Sequence, residues 1–277
     1  MQRSMRLVTF DAFRTLRLPD ARYVKPEHFL RERETVEAAD WLLFPEYWQL
    51  GTLVFGLRKR IFPSLASYLL GHDKIEMTRA FLGVAPQHVP DTRIAANTRE
   101  EAECLWEALP RPFVAKIPRS SMGQGVFLVS TRQDWEDYLD LTPTLYVQEH
   151  LPIDRDLRVV VVAGQVVTAF WRLQSPDGFH NNLACGGSVG SAPVPEAALA
   201  LALNLSHTLG IDHAGFDIAM VGGHPYVFEF NRLFGHRGLA GQHERLAGIM
   251  LDYLLAQSDN HEPHDPIRPT PVWPIAV

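Results

Sequence analysis

The sequence predicts a mixed α/β fold, parallel at its start and α+β, with antiparallel sheet, in its second half. Three observations carry this. In the first seventy residues short apolar runs alternate with helical stretches, the order of a small parallel unit. Beyond Asp156, long β-rich runs fold about Ala163-Gly164-Gln165 and again about Gly222-Gly223, which are hairpin signals. The chain of 277 residues, 46% hydrophobic and 21% charged, is long enough for two or three subdomains around large cores.

The elements follow in order. "MRLVTF" and "DWLLF" read as strands, and "PEHFLRERETVEAA" as a helix with Pro26 in its permitted first turn. Pro45 closes the second strand before a helix expected over "YWQLGTLVFGLRKR". "HDKIEMTRAFLG" predicts a short helix stopped by Gly83, followed by an extended segment marked by Pro86 and Pro90. Thr98, with Glu101 three residues on, has the spacing of a capping box for "REEAECLWEAL". Then come a strand "PFVAKI", a Gly/Ser loop "PRSSMGQG", a strand "VFLVS", a helix "TRQDWEDYLDL" and a strand "TLYVQEHL". The first hairpin leads into the loop "QSPDGFHNNLACGGSVGS" and a helix "PEAALALALNLSHTLG" ending at Gly210. The second hairpin is followed by a final amphipathic helix and a Pro-rich tail. The expected divisions are 1–72, an N-terminal α/β unit; 73–148, a compact unit; 149–258, a C-terminal antiparallel core; and 259–277, the tail.

Composition narrows the function classes. A formal charge of −6 gives no global attraction for nucleic acid or an acidic membrane. Two distant cysteines, Cys104 and Cys185, make neither a disulfide framework nor a cysteine-rich zinc site. Twelve histidines are present without an HExxH or HxH pattern. With no apolar run long enough to span a bilayer and no apolar core in "MQRSMRLVTFDAF", a cytoplasmic location is expected, with neither nucleic acid nor membrane as partner.

Chemistry concentrates in the second half. In "VFEFN", Glu229 and Asn231 lie two apart on a strand and project to one face, with Phe228 and Phe230 expected on the other. Asp217, on the preceding strand of the same hairpin, comes within reach across that face. Two carboxylates and an amide oxygen make either a solvated strand face or a site for a hard cation such as Mg²⁺. Lys116 runs into a loop holding Ser120, Ser121, Gly123 and Gly125, where backbone N–H groups and hydroxyls suit a polyphosphate as readily as they suit a plain hairpin. It is not a Walker loop, since GxxxxGK[ST] is absent and a strand follows it. Lys74, Arg158 and Arg172 are point charges or planar forks for phosphoryl or carboxylate oxygens, or ordinary surface charge. Glu149, at the end of "YVQEHL", faces either a ligand or water.

Taken in order, "HDKIEMTRAF", "VAKIPRSSMGQGV", "VQEHL", "DLRVVVVAGQVVTAFWR", "FHNNLACGG" and "GFDIAMVGGHPYVFEFN" resemble the ATP-grasp superfamily. Within it they look like the ribosomal-protein glutamate-adding ligases and related carboxylate–amine ligases, over roughly residues 70 to 255. The resemblance implies an ATP-grasp fold, with 73–148 as its small lid subdomain and 149–258 as its C-terminal core subdomain, and an ATP-dependent ligase. Such an enzyme joins a small-molecule or peptide carboxylate to an amine through an acyl phosphate, releasing ADP and phosphate; homo-oligomerisation is allowed. It implies that Lys74 and Lys116 contact ATP and that the Ser120–Gly125 loop covers the phosphates. Glu149, with backbone groups of Val147 to His150, would hold adenine and ribose. Asp217, Glu229 and Asn231 would hold Mg²⁺, with Mn²⁺ as an alternative. Arg172 and Asn182 would face the transferred phosphoryl group, and Arg158 matches the arginine of the family's "DIR". Arg232, His236 and Arg237, in the loop after the metal strand, are the expected substrate residues. Two departures stand out: Phe234 replaces the proline of the family's "EVNxxPG", and Ala184-Cys185 replace a basic pair, so acceptor specificity does not carry over. The alternatives are an ATP-grasp kinase acting on a hydroxyl and a non-catalytic nucleotide-binding protein.

Overall fold

The computed structural model describes residues 5–120, 125–173, 188–190, 192–235, 239 and 241–258. Three sheets carry the architecture. The first is parallel, in the order β2-β1-β3-β4, from β1 (Leu7–Thr9), β2 (Ala21–Tyr23), β3 (Trp41–Leu43) and β4 (Ile61–Phe62). The expected helix over "PEHFLRERETVEAA" is broken into a 3₁₀ turn at Pro26–His28 and α1 (Arg33–Ala38). Phe29 and Val36 are buried at its two ends, but the five residues from Arg31 to Thr35 are polar and give a middle turn nothing to pack on. The next expected helix is instead a 3₁₀ turn at Tyr47–Gln49 and a π-helical segment at Gly51–Gly56, bounded by glycines and closed by Leu57 N–H donating to Thr52 O.

Two helices lead out of this unit. α2 (Leu65–Leu70) is capped by Ser64, whose hydroxyl accepts from Ser67 N–H, and α3 (Lys74–Val84) by Asp73, which accepts from Ile75 N–H. Gly83 does not stop α3; the helix runs to Val84 and ends before Pro86.

The second sheet is antiparallel, in the order β5-β8-β6-β7, from β5 (Thr92–Ala96), β6 (Phe113–Lys116), β7 (Val126–Val129) and β8 (Thr144–Glu149). α4 (Arg99–Ala108) and α5 (Arg132–Leu139) cover it, their Thr98 and Thr131 caps accepting from Glu101 and Asp134 N–H. Its core is Phe113, Ala115, Trp135, Tyr138, Leu145 and Val147 with their neighbours.

The third sheet is antiparallel, in the order β11-β10-β9-β12-β13, from β9 (Arg155–Val162), β10 (Gln165–Leu173), β11 (Ser188–Gly190), β12 (His213–Val221) and β13 (His224–Asn231). Both expected hairpin turns are present, with positive φ at Ala163, Gly164, Gly222 and Gly223, as tight turns require. α6 (Glu196–Leu209) ends on Gly210 at φ 68°, and α7 (His243–Ser258) closes the described chain. α6 packs one face of this sheet, burying Leu201, Leu205, Phe216 and Phe230. On the other face α7 supplies Leu246, Met250 and Leu254 to a core shared with Leu7, Trp41 and Phe62 of the parallel unit. The Pro-rich tail lies outside the described residues.

Candidate active site

A cavity of about 730 Å³ opens where the two antiparallel sheets and the start of α3 meet. Asp217 and Glu229 are paired across β12 and β13, and Gly215 is paired with Asn231, so the hairpin delivers its oxygen donors at one end. A β-bulge changes one expectation. Asp217 opposes Glu229 but Ile218 opposes Val227, which leaves Phe228 as the extra residue. Phe228 therefore does not share the core face with Phe230. It lines the cavity, and Lys116 Nζ stands 5.4 Å from its ring centroid. Val227 and Phe230 take the core positions, 1% and 2% exposed.

Lys74, Arg158 and Arg172 are already matched to acids in this cavity. Arg172 makes a bidentate pair with Asp156 at 2.7 Å for both bonds and reaches Asp217 Oδ2 at 3.0 Å. Arg158 Nε lies 2.7 Å from Asp217 Oδ1, and an Arg158 terminal nitrogen donates to Gly215 O at 3.3 Å. Lys74 Nζ lies 3.7 Å from Glu229 and donates to Ser120 O, while its backbone N–H donates to Pro118 O. Lys116 donates to Gln148 Oε1 at 2.8 Å and faces the rings of Tyr146 and Phe228.

The electrostatics follow from burial. Desolvation brings Lys116 down to about 8, against the opposing pull of Glu229 and Asp217. Desolvation raises Asp217 to about 6, with Arg158 and Arg172 opposing. Burial also works against a charged Glu229, but Lys74, Lys116, Arg158 and Arg172 outweigh it and hold the carboxyl below its ordinary range. Glu229 is the more firmly ionised of the two acids.

The donor set suits a hard cation in chemistry: two carboxylates, an amide oxygen and no sulfur or imidazole among them. Asp217 Oδ1 is buried without a well-formed hydrogen bond, Arg158 Nε being near but out of line. Among the described residues no group of three or more His, Cys, Asp or Glu side chains is arranged as a metal site, so Asn231 is needed to complete the set.

Of the other expected residues, Ser120, Glu149, His150 and Arg232 line the cavity. The Glu149 carboxylate accepts from Asp91 N–H at 2.8 Å. The Val147 side chain is buried in the core of the second sheet, which leaves only its backbone groups for the expected role. Gly125 sits at the neck of the Gly/Ser loop, its carbonyl accepting from Ile117 N–H, and a Cβ there would meet Ser120 Oγ at 2.1 Å. Ser121, Gly123, Asn182, His236 and Arg237 lie outside the described residues. Sequence reasoning missed Gln148, Phe228, Asp156 and the Tyr68 shelf beneath Arg232, whose guanidinium carbon is 4.8 Å from the Tyr68 ring centroid. Gln148 lies two residues from Tyr146 on β8 and so shares its face beside Lys116, and that spacing was the available signal.

Comparison with known proteins gives the family and the fold. The model of the RimK-like ATP-grasp domain matches residues 72–257. A probable alpha-L-glutamate ligase of Enterobacter sp. (strain 638) is 31% identical over 204 residues, covering 69% of this chain and 66% of the relative. A ribosomal protein bS6–L-glutamate ligase of Salmonella paratyphi B is 30% identical with the same coverage of both chains. The match thus spans just under two thirds of the length of these two relatives. Among solved structures, an ATP-grasp RimK domain protein from Sphaerobacter thermophilus aligns with a TM-score of 0.60 at 19% identity, covering 78% of this chain and 81% of that one. D-alanine–D-alanine ligase from Bacillus anthracis, complexed with ATP, aligns with a TM-score of 0.66 at 15% identity, covering 93% and 99%. By the share of its length that the family model matches, the chain belongs to the RimK-like ATP-grasp family.

Proposed function

We propose that the protein is an ATP-dependent carboxylate–amine ligase. A substrate carboxylate oxygen attacks the γ-phosphorus of ATP, the bond to the β-phosphate oxygen breaks, and ADP leaves. The amine nitrogen then attacks the acyl carbon, phosphate departs with the bonding pair, the nitrogen loses a proton, and an amide remains. The observation that carries this reading is the convergence of Asp217, Glu229 and Asn231 with Lys74 and Lys116 around one cavity. Names borne by the relatives support a carboxylate–amine acceptor chemistry over transfer to a hydroxyl.

Asp217, Glu229 and Asn231 would hold Mg²⁺, with Mn²⁺ as an alternative, and such an ion would offset the negative charge of the phosphates. Lys116, buried against Tyr146 and Phe228, supplies positive charge where little water competes. Arg172 is locked by Asp156, so its remaining donor capacity is presented in a fixed orientation. Lys74 bridges Glu229 and the root of the Gly/Ser loop, so an arriving phosphate competes for the ammonium that pins that root. No side-chain nucleophile is required. Substrates are small-molecule or peptide carboxylates and amines.

Incubation with ATP, Mg²⁺, pooled amino acids and hydroxylamine tests the reading. A hydroxamate with stoichiometric ADP is expected, because hydroxylamine intercepts an acyl phosphate. A stable phosphoester would make the protein a kinase, AMP with pyrophosphate would exclude acyl phosphate chemistry, and no ADP would leave a binding protein.

A further inference from the structure

Lys74, Arg158 and Arg172 each meet a carboxylate in the cavity, whereas Lys116 meets an amide. Its ammonium donates to Gln148 Oε1 at 2.8 Å and stands 5.7 Å and 5.4 Å from the ring centroids of Tyr146 and Phe228. The difference has a chemical meaning. A carboxylate at that distance would cancel the charge, while a carbonyl oxygen directs the ammonium and leaves its charge for a ligand. An amide also carries a weakness that a carboxylate lacks, because its two ends have nearly one shape and opposite polarity. Turned about, Gln148 would set N–H donors against an ammonium that has only donors itself.

The group that decides the orientation lies one strand away. Thr92 on β5 is the cross-strand partner of Gln148 on β8, so the two side chains share a face. The Thr92 hydroxyl donates its single proton to Pro90 O at 2.7 Å. It can then only accept from Gln148, and Gln148 Nε2 donates to it at 2.9 Å. The donors run in one direction, from Lys116 to Gln148, to Thr92 and on to Pro90 O, and one amide orientation satisfies them all. Gln148 is 2% exposed, so an amide turned the other way would have no solvent to restore the bonds it lost. The same segment fixes the next residue of β8. Asp91 N–H donates to the Glu149 carboxylate at 2.8 Å, and Glu149 N–H donates to Asp91 O at 2.9 Å. Pro90 to Thr92 thereby sets two neighbouring residues of the cavity wall, Gln148 and Glu149.

We propose that Thr92 is a positioning residue for nucleotide binding: its hydroxyl sets the Gln148 amide so that the carbonyl oxygen holds the Lys116 ammonium, with its charge uncancelled, towards the nucleotide. The inference rests on the ligase reading only in taking the cavity for the ATP site. Thr92 acts through Gln148 and Lys116, and needs no contact of its own with the ligand.

Titration calorimetry with ADP in the presence of Mg²⁺ tests it. Thr92→Val keeps a branched side chain suited to a strand and removes the hydroxyl; ADP affinity should fall about tenfold or more. Thr92→Ser restores the hydroxyl and should stay within about threefold of wild type. Gln148→Met removes the amide at nearly constant length, so adding Thr92→Val to it should change affinity by less than about twofold. If Thr92→Val does not fold, Thr92→Ala enters the same comparisons. Unchanged affinity without the hydroxyl, a Thr92→Ser variant as weak as Thr92→Val, or an undiminished loss in the Gln148→Met background would overturn the inference and leave Thr92 a support of β5 alone. A wild type that binds no ADP would overturn the nucleotide reading of the cavity first, and the inference with it.

Discussion

Glu229 and Asp217 face each other across one hairpin yet differ in charge state for identifiable reasons. Glu229 is surrounded by cations that are not bound to it bidentately, whereas Asp217 is deeper and its two arginines only partly offset its burial. Glu229→Gln keeps the shape and removes the charge; turnover of ATP should fall by about 10²-fold or more while the melting temperature changes little. Circular dichroism melts and a coupled ADP assay check both halves. Gly125 carries a steric prediction, because an added Cβ would lie 2.4 Å from Ser120 Cβ and 3.0 Å from Ile117 Cβ. Gly125→Val should force the neck of the Gly/Ser loop apart and raise the KM for ATP several-fold, read from initial rates, with smaller effect on the amine substrate. At this scale the sequence showed that Glu229 and Asn231 share a face, because side chains two apart on a strand must. It did not show Phe228 beside Lys116, because a bulge is written in the pairing of two strands and not in either one alone.

Elements were legible where punctuation was strong. Gly210, Gly222-Gly223 and Ala163-Gly164 mark a helix end and two turns that demand positive φ, and Thr98 and Thr131 announce helix starts. β1 and β3, of three residues each, were marked by apolar runs, whereas β2, β4 and β11, of two or three residues, are too short to impose a period and carry no such run. The helix α2 was missed as well, although Ser64 is its cap, because Leu65 to Leu70 is only six residues long. That cap leads to a pH dependence. Asp212 is buried, and desolvation raises it to about 6 from 3.8, although Ser64 N–H and the Ser67 and Tyr253 hydroxyls donate to it. A raised acid binds its proton more tightly folded than unfolded, so its contribution is complete below about 3.8 and is lost as the pH rises through about 6. Asp212→Asn imitates the protonated form at every pH. Relative to that variant, wild type should gain about 2 kcal/mol of unfolding free energy when the pH falls from roughly 7.5 to 4.5. Denaturant titrations at both pH values measure it, and a constant difference would show that Asp212 stays ionised.

At the scale of the molecule, the family match begins at residue 72 and leaves the parallel sheet outside it. That sheet is nonetheless joined to the matched part in several places. Ser64 N–H and the Ser67 hydroxyl donate to Asp212, Trp41 Nε1 donates to Ser258 Oγ, Arg60 to Gln257 O, and Arg14 to Phe234 O. The apolar residues Leu246, Met250 and Leu254 of α7 pack against Leu7, Trp41 and Phe62 of the parallel unit. Heating should therefore give one calorimetric transition with equal calorimetric and van't Hoff enthalpies, and two resolved transitions would show that the parallel unit melts by itself. The shared core of Leu7, Trp41, Phe62, Phe234, Leu246, Met250 and Leu254 has a practical consequence for anyone who trims the gene to the recognised stretch. A chain started at residue 72 would keep every residue of the cavity except Gly71 and yet lose Tyr68, the shelf under Arg232, together with one wall of that core. Such a fragment should precipitate or associate on expression, its bare α7 face meeting copies of itself.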